Sequence, residues 1–182
     1  VVPIQEISEM TSAQGIILVV DGAHSPGAIK VDFNVLRNVD FFAGNFHKWM
    51  MGPKGTAFGW ANQKHHASLT PLMAGWTTFD TISPFDTFGG GSRFAGKMML
   101  QGTQNFCQFL GLKDLFNFWN EHGEELLRRE IVKLTTFTEQ LMNQQTQLKS
   151  LYPKDKDMRG PLITFALPER LEQEGYFLMH RL

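Results

Sequence analysis

Apolar residues recur along the chain in patterns that predict alternating helices and strands. Between residues 4 and 14 they recur at helical spacing, and Gly15 supplies a helix-ending residue. The run 16–20 (IILVV) is continuously apolar and rich in β-branched residues, which predicts a strand buried on both faces of a parallel sheet. Residues 33–39 predict a short helix, and residues 40–44 (DFFAG) predict a second buried strand.

The later patterns are longer and more varied. Residues 55–61 (GTAFGWA) alternate weakly and predict a third strand, antiparallel or at the sheet edge. Residues 71–101 are irregular and rich in Gly, Thr, Ser, Pro and Phe, and loops of this length are often functional. After Thr103 the pattern is helical, with a long amphipathic helix over 124–151. A strand at 162–167 (LITFAL) and the start of another helix follow.

The helical segment after Thr103 has one mostly apolar side. The residues on this side are Phe106, Phe109, Leu110, Lys113 and Phe116. Cys107 lies in the same segment and is expected to be buried rather than reactive.

The order strand, helix, strand is typical of an α/β domain, with a mainly parallel sheet flanked by helices. A new strand–helix pattern follows the long helix. We therefore expect one domain over residues 1–124 and the start of a smaller α+β domain in 125–182. The chain lacks an initiator Met and stops without a turn or tail, so we expect a piece of a longer protein, cut at both ends.

Composition excludes several classes of function. The chain has 182 residues, of which 42% are hydrophobic and 19% charged, as in soluble globular domains. Its net charge of -1 gives no electrostatic footprint for nucleic acid or an anionic membrane. No apolar run is long enough to span a bilayer. The single cysteine, Cys107, excludes an intrachain disulfide and fits a reducing compartment such as the cytoplasm.

Several polar residues that could take part in catalysis or ligand binding follow the predicted strands. Taken singly, each has an ordinary interpretation as a cap, a turn or a solvated surface group. The adjacent His65 and His66 are poorly placed to share a metal ion, and we expect no metal site. The candidates are Asp21 and His24 in VVDGAHSPG, Asn45, His47 and Lys48 in GNFHKW, and Gly102 and Thr103 in QGTQN.

Two of these residues become informative together. In open α/β sheets ligands bind at the carboxyl ends of parallel strands, where both Asp21 and Lys48 are expected. Pyridoxal phosphate requires a lysine for a Schiff base and an acid partner for its ring nitrogen. The pair therefore indicates a pyridoxal 5′-phosphate site.

The same segments resemble a known family. VVDGAHSPG, VDFFAGNFHKWMMGPKGTAFGW and QGTQNF are similar, in order and spacing, to the class V aminotransferases among the fold type I pyridoxal-phosphate enzymes. GNFHKW and QGTQNF favour the isopenicillin N epimerase-like branch. The resemblance implies the large domain of a fold type I transferase, followed by part of its small domain. It also implies chemistry at the α-carbon of an amino acid or amine substrate.

The resemblance implies a role for each candidate. Lys48 would form the Schiff base, Asp21 would face the pyridine nitrogen, and His24 would lie near the ring. Asn45 and His47 would bind the phosphate, although the commoner family pattern has Ser where Asn45 stands.

The helix start at Gly102 and Thr103 resembles the family segment whose threonine reaches the phosphate of the neighbouring subunit, which implies a homodimer. Gly52, Pro53 and Gly55 are expected to set the turn after the lysine. The stretch GGGSRF (89–94) is interpreted as a mobile lid or substrate loop.

Alternatives remain open at this point. Epimerisation, transamination and loss of a sulfur group share the same first steps, so a cysteine desulfurase or C–S lyase is the second candidate. Cys107 does not stand where a desulfurase has its nucleophilic cysteine. A third hypothesis, of another class, is a non-catalytic remnant that serves as a structural module.

Overall fold

The structure is a computed structural model that contains helices, a three-stranded mixed sheet and a two-stranded sheet. It describes residues 1–75, 77–78, 92–99, 102–146 and 148–169. The first part comprises helix α1 (Ile4–Ala13), strands β1 (Val19–Asp21), β2 (Phe41–Asn45) and β3 (Ala57–Ala61), and the 3₁₀ turn Gln63–His65. The second comprises helices α2 (Arg93–Met99), α3 (Cys107–Leu110), α4 (Leu112–His122) and α5 (Glu124–Gln145), strand β4 (Lys149–Ser150), the 3₁₀ turn Lys156–Met158 and strand β5 (Phe165–Ala166).

Strand β2 lies between β1 and β3. It pairs in parallel with β1, in a register that sets Asp21 opposite Ala43, and it pairs antiparallel with β3. The third strand predicted over 55–61, antiparallel or at the sheet edge, is confirmed over Ala57–Ala61 as an antiparallel strand. Because β1 and β2 are parallel, their carboxyl ends lie at the same edge of the sheet.

The core of the sheet is small and aromatic. Val20, Val39 and Phe42 are buried together, and partly buried aromatic side chains cover them. Phe33 stacks on Trp60 with ring centroids 4.3 Å apart. This packing fixes β2 as the central element beneath the candidate site.

The strand predicted over 16–20 is wrong in extent and in burial. The structure begins β1 at Val19, and residues 16, 17 and 19 are exposed. The backbone N–H of Leu18 donates to Asp40 Oδ2 over 2.8 Å instead of to a neighbouring strand. In the described chain β1 has a strand neighbour on one side only, so its outward side chains are not covered.

The helix predicted over 33–39 is also wrong, because these residues form turns. The Asp32 carboxylate accepts from the backbone N–H of Asn34 at 2.9 Å, a local bond that competes with helix formation. The backbone N–H groups of Val35 and Leu36 also donate to the Asp32 carbonyl, and Val39 N–H donates to the Leu36 carbonyl. The turns deliver Leu36 and Val39 to the core.

Helix α1 confirms the first predicted helix, and Gly15 follows it with a φ of 68°. The long helix is also confirmed, although α5 ends at Gln145 rather than at residue 151. Within 162–167 only β5 is a strand, and it pairs antiparallel with β4. The helix predicted at the end of the chain lies outside the described residues from position 170 onward.

The mostly apolar side of the helical segment after Thr103 is exposed, with Leu110 at 75%. The buried residues of α4 are Leu115 and Trp119. Cys107 is exposed as well, contrary to expectation. The segment is interrupted at Gly111, where an added Cβ would lie 3.0 Å from the Pro53 ring.

The predicted irregular stretch 71–101 contains a helix, α2. Thr77 Oγ1 donates to the Gly96 carbonyl at 2.7 Å, and His66 stacks on Phe94 at 3.7 Å between centroids. Residues 89–91 of GGGSRF, the segment predicted to be a lid or substrate loop, lie outside the described residues, and Arg93 and Phe94 begin α2. Among the helices of the described part, none combines the length and apolar character needed to cross a bilayer.

Gly123 separates α4 from α5 with a φ of 80°. This break lies where the sequence predicts the domain boundary. The division into residues 1–124 and 125–182 remains a prediction.

Candidate active site

The sheet brings the two central candidates to one edge. Asp21 is the last residue of β1, and Asn45 is the last residue of β2. The parallel register sets Asp21 beside Ala43, so the segment that carries Lys48 leaves β2 at the edge where Asp21 stands. A carboxylate and a lysine-bearing turn thus emerge side by side from neighbouring strands.

At this edge of the sheet, aromatic rings pack against two glycines that have no Cβ to clash with them. A Cβ on Gly22 would collide with the Phe42 ring, and a Cβ on Gly44 would approach the Phe58 ring to 2.5 Å. Both positions therefore require glycine for space. The Phe42 and Phe58 rings thus pack closely against the backbone next to Asp21 and Asn45.

Asp21 and His24 share a cavity. Asp21 Oδ1 accepts from the Ala23 backbone N–H at 3.0 Å, which orients the carboxylate. A cavity of about 250 Å³ is lined by Asp21, His24 and Trp49 and, on its far side, by residues of the segment 152–162. Asn45, His47 and Lys48 are not among its lining residues.

The turn after β2 is tightly bonded around Lys48. The Lys48 carbonyl accepts from Met51 N–H at 2.9 Å, and the Phe46 carbonyl accepts from Gly52 N–H at 2.8 Å. A Cβ on Gly52 would lie 2.8 Å from the Phe46 carbonyl oxygen, so this close approach needs glycine. The described residues form no hydrogen bond or ion pair with the Lys48 ammonium group.

One ring nitrogen of His47 is hydrogen-bonded to the backbone. Its Nδ1–H donates to the Thr56 carbonyl at 2.9 Å, because a carbonyl can only accept. The same carbonyl accepts from Phe46 N–H at 3.0 Å, and buried Thr56 donates its hydroxyl to the Pro53 carbonyl at 2.6 Å. The Gly-Pro-Lys-Gly turn therefore orients His47 and leaves its Nε2 for a ligand.

Gly102 and Thr103 stand apart from the other candidates. Both are exposed, and Gly102 has a φ of 113°. Among the described residues, neither forms a hydrogen bond to the Asp21 or Lys48 segments. In the described chain these two residues do not complete the site around Lys48.

The sequence patterns missed a charged cluster around Asp40, at the opposite end of β2. Asp40 is 2% exposed and lies 2.7 Å from His65 Nε2 and 2.6 Å from Lys64 Nζ. Burial opposes its ionisation, but the hydrogen bonds from His65, Lys64 and Leu18 outweigh it and lower the pKa of Asp40 to about 2. Only the β2–β3 pairing brings these groups together, so no spacing in the sequence indicates them.

The residues at the carboxyl edge fit pyridoxal phosphate by the chemistry of their donors and acceptors. Asp21 offers a carboxylate for a ring nitrogen, Lys48 an amine, and Asn45 and His47 an amide and an imidazole for a phosphate. Among the described residues, no group of three His, Cys, Asp or Glu side chains is arranged to hold a metal ion.

The chain is similar in sequence to known proteins. Residues 1–177 match the family described as aminotransferase class-V. The chain is 27% identical over 173 residues to isopenicillin N epimerase of Streptomyces clavuligerus, covering 92% of this chain and 43% of that protein. It is 30% identical over 176 residues to a probable cysteine desulfurase of Halalkalibacterium halodurans, covering 92% and 39%. The chain thus spans less than half the length of these relatives.

Solved structures show the same fold. A cysteine desulfurase from Thermococcus onnurineus NA1, in its apo form, superposes with a TM-score of 0.74 at 20% identity, covering 98% of this chain and 44% of that one. A lysine-to-alanine mutant of C-DES, with glycine covalently linked to its PLP cofactor, superposes with a TM-score of 0.78 at 22% identity, covering 100% and 48%. The expected fold type I architecture is thereby confirmed, for the part that the chain represents.

Proposed function

The chain belongs to the aminotransferase class-V family, and from this membership we propose that it carries the lysine-bearing half of an enzyme acting at the α-carbon of an amino acid or amine. Its cofactor is pyridoxal 5′-phosphate. The observation that carries the proposal is the parallel pairing of β1 and β2, which delivers Asp21 and the Lys48 turn to one edge of the sheet.

Lys48 is the proposed covalent anchor and proton carrier. When bound, the cofactor withdraws electrons from the bonds at the substrate α-carbon. The Lys48 Nζ would hold the cofactor and, as a free amine, would accept or return a proton at the substrate α-carbon. The tight turn from Phe46 to Gly52 restricts the backbone from which this side chain reaches.

Asp21 is the proposed partner of the ring nitrogen. Its carboxylate keeps a pyridine nitrogen protonated by offering a charge-assisted acceptor. The bond from Ala23 N–H to Oδ1 fixes the orientation of the group. His24 lines the same cavity as Asp21 and is proposed to lie against the ring.

Asn45, His47 and Thr103 are the proposed phosphate ligands. The Asn45 amide can donate a hydrogen bond, and His47 can donate through Nε2 when its ring is protonated, because Nδ1 is occupied by the Thr56 carbonyl. Gly102 and Thr103 are proposed to reach the site of a second subunit, which makes the enzyme a homodimer. A cytoplasmic location completes the proposal and is supported by the single cysteine.

Within the family, we propose chemistry like that of isopenicillin N epimerase. Two such epimerases resemble the chain over 92% and 96% of its length. Cysteine desulfurase or C–S lyase chemistry is the second candidate, favoured by the likeness to probable desulfurases and by the solved structures.

Two measurements on the full-length protein test the proposal. Added pyridoxal 5′-phosphate should produce a visible absorbance band that borohydride bleaches, and Lys48→Ala should abolish the band. Lys54→Ala, in the same turn region, is the matched control and should retain it. A full-length protein that forms no band refutes the proposal and favours a non-catalytic module.

The products formed from the substrate distinguish epimerase-like chemistry from desulfurase chemistry. Exchange of the α-proton with solvent deuterium, without release of sulfur, supports epimerase-like chemistry. Sulfide or persulfide release from cysteine supports the desulfurase alternative.

A further inference from the structure

The turn that follows Lys48 contains a strained residue. Met51 has a φ of 65° and is the one non-glycine residue with positive φ in the described part of the chain. Its side chain is 61% exposed, so burial does not compensate the strain. Such strain persists only where the surrounding structure holds the backbone in place.

The peptide unit between Met50 and Met51 is held at both ends. Its N–H donates to the Lys48 carbonyl over 2.9 Å, and its carbonyl accepts from Trp119 Nε1 over 3.0 Å. Trp119 is 2% exposed and belongs to α4, 69 positions beyond Met50. The preceding peptide unit lies against Gly27, where a Cβ would come within 2.6 Å of the Met50 nitrogen.

A flip of this peptide unit is the motion that would release the strain. The rotation takes φ of Met51 toward the negative values that non-glycine residues prefer. It also breaks both hydrogen bonds and leaves the buried Trp119 N–H without its acceptor, which is unfavourable. The indole therefore opposes the flip and preserves the bond to the Lys48 carbonyl.

We propose that Trp119 is a positioning residue for Lys48. Its indole N–H locks the Met50–Met51 peptide and so fixes the backbone from which the lysine reaches its cofactor. The inference rests on the proposed function of Lys48 and adds a residue that acts through the turn rather than on the cofactor itself.

Trp119→Phe removes the N–H donor and keeps an aromatic ring. In the full-length protein, we expect this variant to speed amide hydrogen exchange in peptides that cover residues 49–53. We also expect capture of added pyridoxal 5′-phosphate to slow by about tenfold, the effect of losing one hydrogen bond that holds the turn. The exchange measurement needs no cofactor and reports on the turn alone.

Met51 supplies the matched controls. Met51→Gly removes the strain, because glycine adopts positive φ freely, whereas Met51→Ala trims the exposed side chain and keeps the strain. In the Met51→Gly background, we expect Trp119→Phe to slow the capture of pyridoxal 5′-phosphate by less than about threefold. In the Met51→Ala background, the same substitution should slow capture by about tenfold, as it does in the otherwise unchanged protein.

Each result decides between a positioning role and a packing role. Lost packing around Trp119 would not be rescued at an exposed residue, so equal slowing in both backgrounds, or no slowing in either, overturns the inference. If Lys48→Ala abolishes capture but Trp119→Phe does not slow it, this inference alone fails. A wild-type protein that captures no cofactor overturns the proposed function and this inference together.

Discussion

At the scale of single residues, Asp40 makes stability depend on pH. Its pKa is about 2 in the folded protein, below the 3.8 of an unperturbed aspartate. The folded state therefore favours the ionised group, and its contribution is fully present above about pH 4. The contribution is lost as the pH falls from about 4 through about 2.

Asp40→Asn tests this contribution. We expect the substitution to lower the free energy of unfolding by about 2 kcal/mol at neutral pH, because an amide cannot replace the charged acceptor of His65 and Lys64. Urea denaturation of both proteins at a series of pH values measures the difference, which should narrow between pH 4 and pH 2. If the difference in the free energy of unfolding stayed the same at pH 2 as at neutral pH, this explanation would be wrong.

His47 allows its two ring nitrogens to be tested separately. His47→Asn places an amide N–H near the Nδ1 position and should keep the bond to the Thr56 carbonyl, so stability is retained. It should nevertheless weaken pyridoxal phosphate binding by about tenfold, because the Nε2 position is lost. His47→Gln should do the opposite and lower stability by about 1 kcal/mol. Equal losses of pyridoxal phosphate affinity in the two variants would contradict the proposal that His47 binds the phosphate through Nε2.

At the scale of elements, the strand ends depend on glycine at selected positions. Gly44→Ala in β2 would press a Cβ against the Phe58 ring at 2.5 Å, while Gly59→Ala in β3 would meet no atom within 4 Å. We expect Gly44→Ala to lower the free energy of unfolding by about 2 kcal/mol and Gly59→Ala to leave it nearly unchanged. Denaturant midpoints give the comparison, and equal effects would contradict the proposed crowding beneath the site.

The sequence predicted those elements whose signals are local. The helical spacing before Gly15, the apolar strand before Asn45 and the long amphipathic pattern from Glu124 all correspond to elements of the structure. The turns at 33–39 were mistaken for a helix because the apolar spacing does not reveal that the Asp32 side chain caps a turn.

Contacts between distant segments were not predictable in this way. Lys64 and His65 reach Asp40 only through the pairing of β2 with β3, and Trp119 reaches Met50 only through the docking of α4. Leu115 and Trp119 are the buried residues of α4, and the apolar spacing along the segment does not single them out. The candidate residues at the carboxyl edge can be proposed from the sequence because a cofactor requires several residue types together, and their roles remain predictions.

At the scale of the whole molecule, we propose that the site is shared between the two subunits of a homodimer. Thr103 is exposed, and among the described residues it forms no hydrogen bond with the Lys48 turn. Thr103→Asp should repel the phosphate of a neighbouring site, and Lys48→Ala should prevent covalent attachment. Separately, each variant should lack the visible band.

Co-expression of these two variants tests the shared site. Half of the randomly formed dimers combine one subunit of each kind, and each such dimer has one intact site, so about one quarter of the wild-type band should return. Purified wild-type protein sets the scale. No recovery on mixing would indicate that Thr103 acts within its own subunit, or not at all.

The central claim is that Lys48 is the covalent anchor of pyridoxal 5′-phosphate. The most direct measurement is borohydride reduction of the full-length, cofactor-loaded protein, followed by peptide mass spectrometry. The account predicts a phosphopyridoxyl group on the peptide that contains Lys48, and none in Lys48→Ala. A stable label on another lysine such as Lys54, or no label on a protein that binds the cofactor, would contradict it.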